Sequence, residues 1–363
     1  MDEIFFDFVR FSLGSSATFR HSLTPQAWHA LYGVACKQTL TGVLFAGVER
    51  LPKPQQPPRD LLLEWYVATQ RIAARNRVMN REAVCLCQTL EAAGFPAVIL
   101  KGQGISQLYP HPELRIPGDI DVWVKGRRLA VAKYIRTQTG NRHVIYHQMA
   151  FSQQPDIAVE AHFTPSWMFS PLTNRRLQRF FRSQQAAQLQ HHIALPQDAG
   201  EVCVPTSEFN RVYILVHIYR HLFGEGVGLR QLLDYYYVLH QGFSEIERRQ
   251  TLNELEQLGM TRFAAAVMWV MHAAFGLEDH FMLLPPNEPD GQFLLAEIMT
   301  SGNMGHYDPR LVHSHSALST FWHRVGRNLR FVRHYPSEAL CTPLFKIWHF
   351  GYRHWWAGRL ARP

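Results

Sequence analysis

The sequence predicts an α+β fold: a small mixed sheet flanked by helical N-terminal and C-terminal regions. Three observations carry this. Residues 1–93 place apolar side chains at helical spacing, with almost no strand-like run. From Gly94-Phe95-Pro96 the pattern changes to short apolar runs separated by Gly/Pro turns. Beyond Pro205 helix-length periodicity returns and holds as far as Arg362. The expected division is therefore a helical region at 1–93, a core at 94–204 and a helical domain at 205–363. A chain of 363 residues, 47% hydrophobic, is long enough and apolar enough for about two well-packed cores.

In chain order, Ile4 to Leu13 reads as the first helix. Thr24 is a good N-cap ahead of Pro25 and opens a helix predicted to run to Val48. The Pro-rich stretch Leu51 to Pro58 is a linker, and Arg59 to Ala93 a long helix with Tyr66, Ile72, Val78 and Met79 at roughly helical spacing. Arg71, Arg75 and Arg77 on that helix read as a solvated face. Ala97 to Leu100 is a short buried strand ending in Lys101-Gly102-Gln103-Gly104, after which Ile105 to Tyr109 begins a helix. Pro110, Pro112 and Pro117-Gly118 then break the chain before a strand at Asp119 to Val124. A helix is expected over Arg127 to Gln138, an antiparallel pair over His143 to Phe151 and Ile157 to Phe163, and a helical stretch over Asn174 to Gln188. A short strand at Glu201 to Val204 completes the core. The longest apolar run, Phe263 to Leu277, contains His272 and is shorter than a membrane span, so it reads as a buried helix and no transmembrane segment is expected.

Net charge is +8, which favours an anionic partner without choosing among NTP, RNA and a membrane surface. The five cysteines are scattered and form no Cys-x-x-Cys unit, which supports neither a disulfide framework nor a structural zinc site and fits a reduced cytoplasm. The acidic start, Met1-Asp2-Glu3, lacks the basic and long apolar regions of a signal peptide. A cytoplasmic location is expected.

Chemistry concentrates around Lys101 and Asp119. Strand side chains alternate, so Asp119 and Asp121 project from one face while Ile120 and Val122 take the other. Two carboxylates about 4 Å apart repel by about 4 kcal/mol at an effective dielectric near 20, so a cation between them or a shared proton is required. Mg2+ or Mn2+ suits hard oxygen ligands and substrate phosphates. Glu160, in Asp156-Ile157-Ala158-Val159-Glu160-Ala161-His162, offers a third carboxylate on a later strand, with His162 on the same face. The Lys101-Gly102 turn lets the backbone approach an anion closely, and Lys101 points its ammonium toward it. Arg115, just before the Asp-x-Asp, is placed either to stabilise a transferring phosphate or to hold its loop by an ion pair.

The run LKGQGISQLYPHPELRIPGDIDVWV (Leu100 to Val124), with VEAH (Val159 to His162) and HIYRHLFGEGVGLRQLLD (His217 to Asp234), resembles the bacterial nucleotidyltransferases of the DNA polymerase β-type superfamily. The similarity extends from about Phe95 to His240. It implies a small mixed sheet carrying three metal-binding carboxylates, Asp119, Asp121 and Glu160, and an enzyme that moves an NMP from an NTP such as ATP to an acceptor. TRNA, a protein or a sugar phosphate are the acceptors to consider, with Lys101 and Gly102 at the triphosphate. Gln103 departs from the Gly-Ser or Gly-Gly usual in that superfamily. Lysine before the glycine resembles the toxin nucleotidyltransferases of abortive-infection systems. Two other classes remain open: a nucleotide- or RNA-binding module whose catalysis has lapsed, and an Asp-x-Asp glycosyltransferase, which the strand-poor first 93 residues disfavour.

His217 and His221 stand four apart on a helix, a metal-gripping spacing, but Ile218 replaces the glutamate of the zinc-protease pattern, so a packed or hydrogen-bonded pair is expected. Arg230 and Asp234 are spaced for an i,i+4 ion pair behind Gly224, Gly226 and Gly228. Residues 321–363 carry eight Arg/Lys against one acid, Glu338, interleaved with aromatic rings. That composition suits single-stranded nucleic acid, an anionic membrane surface, or packing on the helical domain with the cations facing water.

Overall fold

The computed structural model describes residues 2–310, 326 and 328–361. Its helices are α1 (Asp2–Leu13), α2 (Pro25–Lys37), α3 (Thr41–Arg50), α4 (Arg59–Ala92), α5 (Gly102–Ser106), α6 (Arg128–Thr139), α7 (Pro171–Gln188), α8 (Ser207–Phe223), α9 (Leu229–Leu239), α10 (Glu245–Gln257), α11 (Thr261–Phe275), α12 (Glu288–Ser301) and α13 (Pro336–Ala361). The strands are β1 (Ala97–Leu100), β2 (Ile120–Val124), β3 (Gln148–Ala150), β4 (Val159–His162), β5 (His192–Leu195) and β6 (Gly200–Cys203). The α+β expectation holds: small sheets are flanked by helices on either side in sequence. Among the described residues no helix is long and apolar enough to cross a membrane.

The chain forms two compact units, each assembled from separated stretches. One takes the described residues up to Asn76, Leu108–Ile116, and those from His221 to 310. The other takes Arg77–Gln107, Pro117–Arg220 and the described residues from 326 on. These divisions fall inside α4 and α8 rather than at residues 93 and 204.

The first unit is helical. α1 packs on α3 and α11, and α11 also meets α9, α10 and α12. Phe8, Phe19, Trp28 and Trp65 form a continuous aromatic core there, with the Trp65 indole donating to the Thr41 carbonyl at 2.8 Å. The helix expected over Pro25 to Val48 is two helices, because Gln38 ends α2 and Thr39 takes a positive φ of 56°. The fully buried Gln38 amide fixes that turn: it donates to the Ile298 carbonyl at 3.2 Å and accepts from the Leu229 N–H at 3.0 Å. Satisfying a buried amide outweighs continuing the helix.

The second unit holds the sheet, in the order β1-β2-β4-β3. β2 lies antiparallel to β1 and parallel to β4, and β3 closes the other side antiparallel to β4. Ala97 and Ile99, Ile120 and Val122, and Val159 and Ala161 bury one face against α4 and α6 residues such as Met79, Leu90, Val131 and Ile135. By parity the opposite face carries Asp121, Trp123, Glu160 and His162. There Trp123 stacks on Phe209 of α8, with ring centroids 5.9 Å apart, and meets Phe181 of α7 edge-on. β5 and β6 form a separate hairpin. In the basic aromatic stretch, Phe321, Trp322, Arg324, Arg327 and Arg362 lie outside the described residues.

Candidate active site

Parallel pairing of β2 with β4 sets Asp121 opposite Glu160 and Trp123 opposite His162, while Leu100 at the end of β1 faces Asp121 from the other side. Lys101 follows at once. It takes a positive φ of 52°, as does Gly102 at 34°, so the chain turns sharply out of β1 into α5. A lysine held in that region of backbone space is strained, a condition that concentrates at functional sites. The turn carries the Lys101 ammonium to 2.7 Å from Asp121 Oδ2, and its Nζ lies 3.4 Å from His217 Nε2. On the other carboxylate oxygen, His162 Nε2–H donates to Asp121 Oδ1 at 2.7 Å and stands 3.7 Å from Glu160 Oε2.

Asp121 is thus gripped by two cations in a nearly dry site. Burial pushes its carboxyl up, but Lys101 and the His162 hydrogen bond outweigh that and hold it well below the usual carboxylate range. Burial pulls Lys101 down, yet Asp121 and Asp119 together keep its ammonium above the ordinary value. His162 responds likewise: burial opposes its charge, the bonds to Asp121 and Glu160 favour it, and it rises to about 9. Asp119 moves the other way. The neighbouring Asp121 charge raises it first, burial second, and Lys101 only partly offsets them.

Donor atoms of Asp121, Glu160 and His162 all lie within 4.8 Å of one another, a group that can hold a divalent metal. The donor set fits one: two carboxylates supply hard oxygens, and an imidazole nitrogen beside them is acceptable to Mn2+ as well. Asp119 stands just ahead of β2, outside this trio, but near enough for Asp121, Lys101 and Glu160 all to act on its carboxyl. The structure therefore brings together Lys101, Asp119, Asp121 and Glu160, and adds His162 and His217.

A family model described as uncharacterised nucleotidyltransferase matches residues 24–276. The chain belongs to this nucleotidyltransferase family. No protein of curated function matches the sequence. Among solved structures, an antigenic nucleotidyltransferase-like protein from Paracoccidioides brasiliensis is 12% identical over 52% of this chain and 91% of its own, with a TM-score of 0.32, a likeness too slight to assign function.

In this member of the family, Arg115 takes the second of its two expected uses. Its Nε and Nη2 each donate to the Asp234 carboxylate at 2.7 Å, Tyr109 donates to the same group, and the Arg115 carbonyl accepts from Asn76. A buried bidentate pair of this kind holds the loop, so the phosphate-stabilising role expected of Arg115 is corrected. Its proximity to Asp119 in sequence was misleading, because the guanidinium is already neutralised. Asp234 is correspondingly engaged by Arg115, while Arg230 Nη1 donates to the Ile116 carbonyl at 2.8 Å. His217 Nε2 meets the Lys101 ammonium, and His221 Nδ1 lies 2.7 Å from Glu225.

The sequence offered His217 only as half of a histidine pair, facing the cleft if it acted, and did not single out His147. The His147 ring lies against Trp167 at a tilt, with centroids 3.7 Å apart, and meets His162 edge-on at 5.2 Å. Burial first, then the His162 charge, push His147 well below its ordinary value. The available signal for His217 was its helical register with Phe209 and Tyr213, whose rings follow one another at a tilt along α8.

Proposed function

We propose that this protein is a cytoplasmic, metal-dependent enzyme that moves an NMP from an NTP, ATP among them, to an acceptor hydroxyl or phosphate. The observation that carries the reading is the buried cluster in which Asp121 and Glu160 face each other across parallel strands with Asp119, Lys101 and His162 around them. Asp121, Glu160 and Asp119 would hold Mg2+ or Mn2+, which supplies neutralisation of the charge developing on phosphorus and its leaving oxygen. The acceptor oxygen attacks the α-phosphorus, the bond to the bridging oxygen of the β-phosphate breaks, and pyrophosphate leaves. Glu160, more exposed than Asp121, takes the proton of an attacking hydroxyl. Lys101 turns its ammonium to the triphosphate beside the Gly102 N–H, and His162 keeps Asp121 ionised and oriented.

The test supplies Mg2+ and each of the four NTPs, labelled at the α-phosphate, with pools of tRNA, protein and sugar phosphates. Pyrophosphate release with label in one pool supports the reading; none with any NTP or pool overturns it. A second reading, a nucleotide-binding module without catalysis, is favoured by one feature: Lys101 already neutralises Asp121. NTP binding that is indifferent to added metal would select it.

A further inference from the structure

We infer that the outward face of α13 is a docking surface for an anionic lipid bilayer. The opposite side of this helix is firmly anchored. Arg128 donates to the Tyr352 hydroxyl at 2.6 Å, the Tyr146 N–H donates to His349 Nε2 at 3.1 Å, Arg136 donates to the Leu360 carbonyl, and Trp356 and Leu360 join the core beneath the sheet. A helix so held normally turns its polar side to water. α13 does the reverse. Leu340, Leu344, Ile347, Trp348 and Trp355 recur at i, i+4, i+7, i+8 and i+15, one continuous stripe, and are between 49 and 67% exposed. Six of the large apolar side chains exposed anywhere among the described residues lie on this one helix.

Charge selects the occupant. The only acid of α13, Glu338, is turned inward, where it accepts from the Phe169 and Ser170 N–H groups at 2.6 and 3.1 Å. Arg353 and Arg359 are exposed, and Arg359 lies 5.0 Å over the Trp355 ring. Glu338 also ties the start of α7 to the start of α13, and α7 exposes Leu172 in its first turn and carries Arg175, Arg179 and Arg182 with no acid. Exposed aliphatic residues followed by tryptophans along one stripe, with Arg353 and Arg359 exposed further along the same helix, match the acyl boundary and anionic headgroups of a bilayer surface. Single-stranded nucleic acid would use stacking rings at each step, and Leu340, Leu344 and Ile347 offer none. A second copy would bring the same arginines to a face without an acid to meet them. The inference stands apart from the transfer chemistry, so either can fail alone.

The test is flotation of the full chain with vesicles of phosphatidylcholine alone and of phosphatidylcholine with phosphatidylglycerol, at low and moderate salt, beside the variants Leu344→Asp/Ile347→Asp and Arg353→Gln/Arg359→Gln. Binding only to the anionic vesicles is expected, weakened about tenfold or more by the paired aspartates and in part by the glutamines or by salt. Because the four positions are exposed or half-exposed at the surface, melting temperature should hold. No vesicle binding, binding to single-stranded RNA instead, or association into dimers that the aspartates abolish would each overturn the inference.

Discussion

Lys101 sits where a cation must sit for Asp121 to remain ionised in a dry site. Its ammonium and a divalent metal therefore compete for the same carboxylate until a triphosphate draws the lysine away. Lys101→Ala should raise Mn2+ affinity in the absence of nucleotide, and by leaving Asp121 and Asp119 less opposed it should lower metal-free stability by about 3 kcal/mol, with added metal restoring it. Calorimetric titration and melting with and without Mn2+ check both signs; unchanged metal affinity would mean that Lys101 does not contend for the site. Asp121→Asn keeps the side-chain volume while removing the charge both cations grip. Turnover should fall on the order of a thousandfold, measured as pyrophosphate release, and near-normal turnover would remove Asp121 from the mechanism. The strand parity that puts Glu160 and His162 on one face of β4 is local, and so was readable. Lys101 and His217 are 116 positions apart, and Arg115 and Asp234 119 apart, distances across which no periodicity speaks.

Elements were legible where local chemistry is strong. β1 falls at Ala97–Leu100 as expected, because four apolar residues stand between Pro96 and the Lys101-Gly102 turn. β5 was not, since His192–Leu195 is only four residues long and its alternation rests on Ile193 and Leu195 alone, with only Leu195 fully buried. Glycines within helices make a sharper test. In α3 a Cβ on Gly42 would lie 2.1 Å from the Leu114 carbonyl oxygen. Alanine ordinarily stabilises a helix interior by about 0.5–1 kcal/mol over glycine, but here the clash is with backbone and cannot be relieved by a rotamer. Gly42→Ala should destabilise by about 2 kcal/mol or more in chemical denaturation. α13 offers a pH test through His349, whose Nε2 accepts the Tyr146 N–H and must be unprotonated to do so. Burial, then the Arg353 charge, lower it from 6.5 to about 4. Between those values the unfolded chain binds more protons, so the contribution of neutral His349 is present above 6.5 and is lost as pH falls toward 4. His349→Gln, whose carbonyl can accept the same N–H, should flatten part of that slope when denaturation midpoints are compared at about pH 7 and about pH 5. Parallel slopes would remove His349 from the pH response.

At the scale of the whole molecule, compactness does not follow chain order. The changes of sequence pattern near residues 93 and 204 mark changes of secondary structure, yet the sheet's core does not end there. Met79, Ala83, Val84, Leu86 and Leu90 from α4 cover the inner face of β1, β2 and β4, and Trp356 and Leu360 return from α13 to the same cluster. On the outer face, Trp123 needs Phe209 and Tyr213 follows it along α8, both beyond residue 204. A fragment spanning 94–204 would expose all of these contacts at once. Losing even three large buried side chains at about 2–4 kcal/mol each removes an amount comparable to the whole stability of a domain, about 5–15 kcal/mol, and the fragment loses more than three. The fragment should therefore show no cooperative thermal transition and bind the dyes that report loose apolar surface, while the full chain melts cooperatively. A sharp melt of 94–204 with the full chain's near-ultraviolet circular dichroism would mean that the helices are accessories to the sheet, whereas its absence makes α4, α8 and α13 part of what holds Asp121 and Glu160 face to face.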